Sequence, residues 1–152
     1  MIDFDAIAKG MTIAVPFIGH LDLEITSISE GEAVVRLPDR PDLHNHVGSQ
    51  HAGALFTVAE TASGAAFVGA FAARMGDVTP LARNAEIAYE KIAKGPIEAS
   101  AKLGIDAGEA LATLDTDGRV EFPCEVELTD ESGTRVATAT VSWHVRLKEP
   151  AA

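Results

Sequence analysis

HNHVGSQHAGALFTVAE, residues 44–60, sets three histidines and an asparagine ahead of an apolar run that carries one carboxylate, Glu60. Beyond Glu60 the run stays apolar almost to Arg74. An unpaired buried carboxylate costs several kcal/mol, roughly, unless it is paired, neutralised or given a polar task. The stretch therefore predicts a long buried helix, Ala52 to Ala73, holding an acid with a purpose. Ser49 is a suitable N-cap, which would start the helix near Gln50 or His51. A membrane span of this length is disfavoured by Thr57, Glu60, Thr61 and Ser63, since one mid-helix acid costs about 2.5–3.5 kcal/mol on insertion.

A helix apolar on every side must be covered all round. The rest of the chain supplies strands to do it. Ala137, Ala139, Val141, Trp143, Val145 and Leu147 alternate with Thr138, Thr140, Ser142, His144 and Arg146, the period-two pattern of a half-buried strand. Val120 to Thr129 alternates in the same way, and the TDESGT turn between the two makes an antiparallel hairpin. Pro123 cannot donate to a ladder, so an edge position or a bulge is expected there. Further strands are expected at Leu21–Thr26, Ala33–Leu37, Ala85–Ile92 and Ile97–Ile105, with a short helix over 3–14. Residues 108–118 read as a turn or a short helical excursion. The fold class is α+β: a long central helix wrapped by a curved antiparallel sheet of about six strands. One sheet leaves part of the helix open, and a second copy of the chain would close it. Residues 1–152 form a single domain with its core at about 15–147 and a loose tail, LKEPAA.

Twelve Lys and Arg against 23 Asp and Glu give a net charge of −11. That field argues against nucleic acid and anionic membranes as partners but leaves room for a small anionic ligand held by local cations. Cys124 is the only cysteine, so no intrachain disulfide is available. The acidic start MIDFDAIAKGM lacks the basic region and apolar core of a secretory signal, and a cytoplasmic location is the expectation.

The first amides of a helix lack internal partners and carry the positive end of the dipole. Ala52 and Gly53 offer such amides with little side chain in the way, and an oxyanion suits that place. Asn45 could position a carbonyl or a water, and Glu60 is the candidate base or nucleophile. Ala52 and Glu60 are separated by about 12 Å along one helix axis at ~1.5 Å per residue. They meet only if Glu60 faces the helix start of a second, antiparallel subunit, which gives two sites per dimer. As bland readings, Glu60 is an interface acid, and His44, His46 and His51 are polar loop residues rather than metal ligands. DTDG at 115 opens like a calcium loop but has Val126 where the closing Glu belongs. No metal or cofactor is expected.

These residues resemble the hotdog-fold acyl-CoA thioesterase superfamily. N-H-V-G-S-Q-H-A-G, 45–53, is similar to the N-x-x-G-x-x-H-G-G motif of the phenylacetate-degradation (PaaI-like) branch: Asn45, Gly48, His51 and Gly53 match, and Glu60 falls at the place of the acid. Ala52 stands where the first glycine usually is, and the serine that some relatives carry on the following strand is missing near Ala82. The stretch 117–145 looks closer to domain of unknown function 4442. The resemblance implies a homodimer or a tetramer with the site across the dimer interface. It also implies an acyl-CoA substrate, the Ala52 N–H on the oxyanion, Asn45 positioning, His51 orienting the loop, and Glu60 as base or nucleophile.

Hydrolysis of an acyl-CoA thioester is thus the leading expectation, with coenzyme A as part of the substrate. A non-catalytic binder of acyl-CoA or another apolar ligand is the alternative, and a 3-hydroxyacyl thioester dehydratase stands further behind. Lys91 and Lys94, with Arg83 and Lys102, are the cations available for the coenzyme A phosphates.

Overall fold

The computed structural model describes residues 1–150. Asp3 caps helix α1 (Phe4–Ala14) by accepting the Ala6 amide, and Pro16 opens the short α2 (Pro16–His20). Strands β1 (Glu24–Ser29) and β2 (Glu32–Leu37) follow, then α3 (Ala52–Ala70), β3 (Val78–Tyr89), β4 (Ile97–Leu103), α4 (Ala107–Asp117), β5 (Arg119–Thr129) and β6 (Arg135–Leu147). The six strands form one antiparallel sheet in the order β1-β2-β4-β5-β6-β3. It wraps α3 in the hotdog arrangement that the sequence led us to expect.

The apolar face of the sheet and the apolar helix make one core. Leu37, Ile97, Leu128, Val141 and Val145 from the strands are fully covered, as are Val58, Ala62 and Phe67 from α3. Phe67 stacks on Trp143 with ring centroids 5.4 Å apart, and Phe71 and Phe122 complete the cluster. Trp143 Nε1 donates to Ser63 Oγ at 3.2 Å, and Ser63 Oγ donates to the Glu60 carbonyl at 2.7 Å. The buried polar atoms of that helix face are thereby satisfied. At Gly69 a Cβ would overlap the Ser29 carbonyl oxygen, so only glycine allows α3 to approach β1 this closely.

Four expectations need correction. The helix N-cap is His51, not Ser49: Ser49 is buried in the preceding loop and bonded to Asn45. The first strand starts at Glu24 rather than Leu21, because α2 runs to His20 and Asp22 takes a positive φ of 53°. The strand expected at Ala85–Ile92 is β3, beginning at Val78. Its exposed edge removes the one-sided burial that makes alternation readable. Pro123 lies in β5, an interior strand, yet without harm. Its carbonyl accepts from the Gly104 amide at 2.8 Å, so its ring nitrogen faces the point where β4 has already ended at Leu103.

Residues 107–117, read from sequence as a turn or a short helical excursion over 108–118, are a helix of three turns with Asp106 accepting the Glu109 amide and Gly118 closing it in the left-handed region at φ 74°. The tail beyond Leu147 has no regular structure at 148–150, and the remainder of it lies outside the described residues.

The sheet covers α3 incompletely. Gly53, Phe56, Thr57, Glu60, Gly64 and Val68 are exposed or half-buried, and their spacing puts them on one stripe of the helix. The outer edge of β3 is free of a neighbouring strand.

Candidate active site

The loop ahead of α3 is folded by Asn45. Its Oδ1 accepts from the amides of Val47 and Ser49, both at 3.1 Å, and its Nδ2 donates to Ser49 Oγ at 2.9 Å. A short side-chain amide that mimics a backbone turn in this way is spent on the loop itself. Asn45 therefore builds the loop rather than reaching out of it. Gln50 then anchors the loop to the segment joining β3 and β4. Its amide donates to the Ala93 carbonyl at 2.8 Å, and its Nε2 donates to the carbonyls of Pro38 and Gly95 at 3.0 and 2.9 Å. Lys91 and Lys94 ride on that same segment, exposed.

The helix start divides its donors unequally. His51 Nδ1 accepts the Gly53 amide at 2.8 Å, so Gly53 is not free to bind an oxyanion. The amides of Ala54 and Leu55 bond the His51 carbonyl. Ala52 N–H has no protein partner among the described residues and is exposed. The Tyr89 hydroxyl donates to the Ala52 carbonyl at 3.0 Å and fixes the Ala52–Gly53 peptide, the one that follows the free amide. Beside it lies a groove of about 610 Å³ lined by Phe17, Leu43, His44, Gly53, Phe56 and Tyr89. Tyr89 and Phe17 were missed from sequence, for a lone aromatic in a strand or a short helix carries no positional signal.

Glu60 is half-buried on the uncovered stripe and has no hydrogen bond or ion pair to its carboxylate among the described residues. Burial pushes its carboxyl above the ordinary carboxylate value, the direction that suits a proton acceptor working near neutral pH. Within one chain it remains about 12 Å up the axis from the Ala52 amide. A larger groove of about 630 Å³ between α1 and β1 mixes Lys9 and Arg36 with Asp22 and Glu24 and lies apart from these groups.

The histidines go separate ways. His44 pairs with Asp39 at 2.6 Å, His51 caps the helix and His46 is exposed. Arg83 stands apart from Lys91 and Lys94 and pairs with Glu121, which also holds His144 at 2.7 Å. Lys102 pairs with Glu32 at 3.2 Å. Cys124 is buried, its thiol pushed up to about 12, and takes no part. Ala82, at a bulge of β3, offers no hydroxyl.

Comparison with solved structures gives the same architecture repeatedly. A protein of unknown function from Pseudomonas aeruginosa, described as a probable thioesterase, superposes with a TM-score of 0.85 at 27% identity, covering 97% of each chain. A thioesterase family protein from Silicibacter pomeroyi gives 0.77 at 17% identity, covering 96% of this chain and 100% of that one. The E. coli PaaI protein of the phenylacetic acid degradation operon gives 0.71 at 22% identity, covering 93% and 91%. No curated protein matches the chain. The model of the family described as domain of unknown function DUF4442 matches residues 5–145. With nearly its whole length inside that match and its helix wrapped as in these thioesterase-named structures, the chain belongs to the DUF4442 family.

Proposed function

We propose that this protein is an acyl-CoA thioesterase that works as a homodimer, with each site shared between two chains. The observation that carries the reading is the state of two groups on one helix. Ala52 N–H is a free backbone donor at the positive end of α3. Glu60, on the uncovered stripe of the same helix, is an unpaired acid with a raised pKa. Antiparallel apposition of two such helices brings the amide of one to the acid of the other. The free edge of β3 supports the same pairing, because two copies joined there continue one sheet.

In this arrangement the thioester carbonyl points at Ala52 N–H, whose dipole-backed amide stabilises the oxyanion as the carbonyl becomes tetrahedral. Glu60 takes a proton from water attacking that carbon, or attacks the carbon itself to form an acyl anhydride that water then cleaves; in either route the C–S bond breaks and the coenzyme A thiolate departs. His51 and Asn45 hold the loop and helix start in place, and the Lys91–Lys94 segment supplies cations beside it. The neighbours named as thioesterases support the class of reaction.

The engagement of Asn45 and Gly53 favours a second reading, a binder of acyl-CoA without chemistry, since it leaves one free amide where two donors would polarise a carbonyl better. A coenzyme A release assay over short, aromatic and long acyl-CoAs separates the two. Turnover by the wild type that Glu60→Gln abolishes is the expected result. Tight acyl-CoA binding with no release from the folded wild type would give the binder reading instead, and full turnover by Glu60→Gln would remove Glu60 from the mechanism.

A further inference from the structure

Among the described residues, Phe56 is the only large apolar side chain that α3 leaves exposed, 37% accessible on the stripe that the sheet does not cover. The other members of the stripe around it, Gly53, Thr57, Glu60 and Gly64, are small or polar. A ring gains most when it is covered, and its own chain leaves one face of this ring in water. Phe56 also lines the groove beside the helix start, together with Gly53 and Thr57.

Symmetry fixes what can cover it. When two copies of one helix run antiparallel about a two-fold axis, the position numbers of facing residues add to a constant. The residue at half that constant meets its own copy. Setting Ala52 of one chain opposite Glu60 of the other puts this midpoint at residue 56. The Glu60 side chain leans toward the start of its own helix by about one position. That lean moves the midpoint by only about half a residue, and Phe56 stays the exposed side chain nearest the axis. Charge favours the same register. Each carboxylate is opposite the positive end of the other helix, while the two carboxylates stay about 12 Å apart along the axis direction of the helices.

We propose that Phe56 lies on the two-fold axis of the homodimer and packs there against Phe56 of the partner subunit, which sets the register that brings each Glu60 to the other chain's Ala52 amide. The proposal rests on the shared-site reading above and adds to it the register and the residue that sets it. Phe56 is a positioning residue: it acts through the delivery of Glu60 and touches no reacting atom. Because its ring lines the groove at the helix start, the pair of rings also forms the wall between the two sites. Every other residue on the stripe is displaced from its own copy by twice its distance from the axis. Val68, twelve residues on, is separated from Val68 of the partner subunit by about 36 Å.

Self-linkage tests the axis without calling on turnover. A disulfide needs Cα atoms about 4.4–6.8 Å apart, so a cysteine can link to its own copy only near the axis. Cys124 is buried, which leaves an introduced surface thiol as the reactive one. Under mild oxidation the full-length Phe56→Cys variant is expected to run as a covalent dimer on a non-reducing gel. Val68→Cys, on the same stripe but far from the axis, is expected to run as a single chain. Phe56→Asp sets two like charges against each other at the axis. Its dimer dissociation constant by sedimentation should rise about tenfold or more, with the circular dichroism of the wild type retained. A folded, dimeric Phe56→Cys that does not link overturns the proposal, as does linkage at Val68→Cys or an unchanged dissociation constant for Phe56→Asp. A wild type that sediments as a monomer overturns the proposal and the shared site together. Self-linkage at position 56 in a protein that turns over no thioester would sink the hydrolase reading and leave the axis standing. Turnover that depends on Glu60, in a dimer that never links at position 56, would do the reverse.

Discussion

The Tyr89 hydroxyl donates to the Ala52 carbonyl at 3.0 Å, joining the last residue of the edge strand to the first residue of the central helix. The peptide just after the free amide is thus held, and it shares the Ala52 Cα with that amide. Tyr89→Phe keeps the ring and removes the tie. A stability loss of about 0.5–1 kcal/mol is expected for a half-exposed bond of this kind. Turnover should fall by about tenfold, because small misplacements of a donor are costly to rate. Urea unfolding beside steady-state kinetics gives both numbers, and unchanged kcat would show that the tie does not aim the amide.

Ala52→Pro removes the proposed oxyanion donor with little harm to the helix. Position 52 is the first helical residue, where proline is favoured. His51 before it is already extended at φ −64° and ψ 141°, as a pre-proline residue must be. Ala52→Pro and Glu60→Gln should each lose about 100-fold or more in kcat as homodimers. Refolding the two variants together should recover activity, since the mixed dimer contains one site with both groups intact. No recovery would place the two groups in separate roles.

Glu60 also makes stability depend on pH. Its folded pKa is raised by burial above the ordinary value of 4.5, so between the two values the folded chain holds more protons than the unfolded chain. Stability from this group is present below the unfolded pKa and is lost as pH rises through the folded one. Glu60→Gln should therefore gain Tm relative to wild type at pH 7, with the gain shrinking toward pH 4. A constant difference across that range would mean that Glu60 is not desolvated.

His51 Nδ1 caps α3 through the Gly53 amide. His51→Ala is expected to cost about 1 kcal/mol, and His51→Asn much less, since an asparagine oxygen can take the same amide. Equal losses in the two variants, measured by thermal unfolding, would point to packing of the ring instead.

Gly69→Ala forces a methyl into the Ser29 carbonyl oxygen. Because backbone rather than a side-chain tip must move, a loss near the upper end of the usual ~1–3 kcal/mol for overpacking is expected. Gly64, whose Cβ would meet Trp143 at an ordinary 3.6 Å, should accept alanine in the same assay.

The strands with one buried face were legible. β5 and β6 alternate cleanly because Val120, Phe122, Val126, Val141 and Val145 all face α3. β3 was half legible: from Leu81 to Asn84 it is exposed, so burial imposed no pattern there. The helix Ala107–Asp117 was in reach, since Asp106, Glu109 and Gly118 are cap residues at the right spacing, but its apolar face is thin. Glu60, Asn45 and the Ala52 amide were singled out as candidates from residue type and position. Which donors stay free was not. The capture of Gly53 by His51, the inward use of Asn45 and the hold of Tyr89 on Ala52 all depend on loop geometry or on contacts between distant elements, which a linear reading does not contain.

The two ends of the sheet differ in a way that bears on how far the molecule can polymerise. β1 is short, kinked by a bulge between Ile25 and Ser27, and flanked by α1, all devices that stop a strand from templating another. β3 is twice as long and open. A ribbon grown by edge-to-edge addition needs two competent ends on every unit, and this unit has one. Joining two copies uses up the competent ends and presents only blunted ones outward, so addition along the hydrogen-bonding direction terminates at its first step.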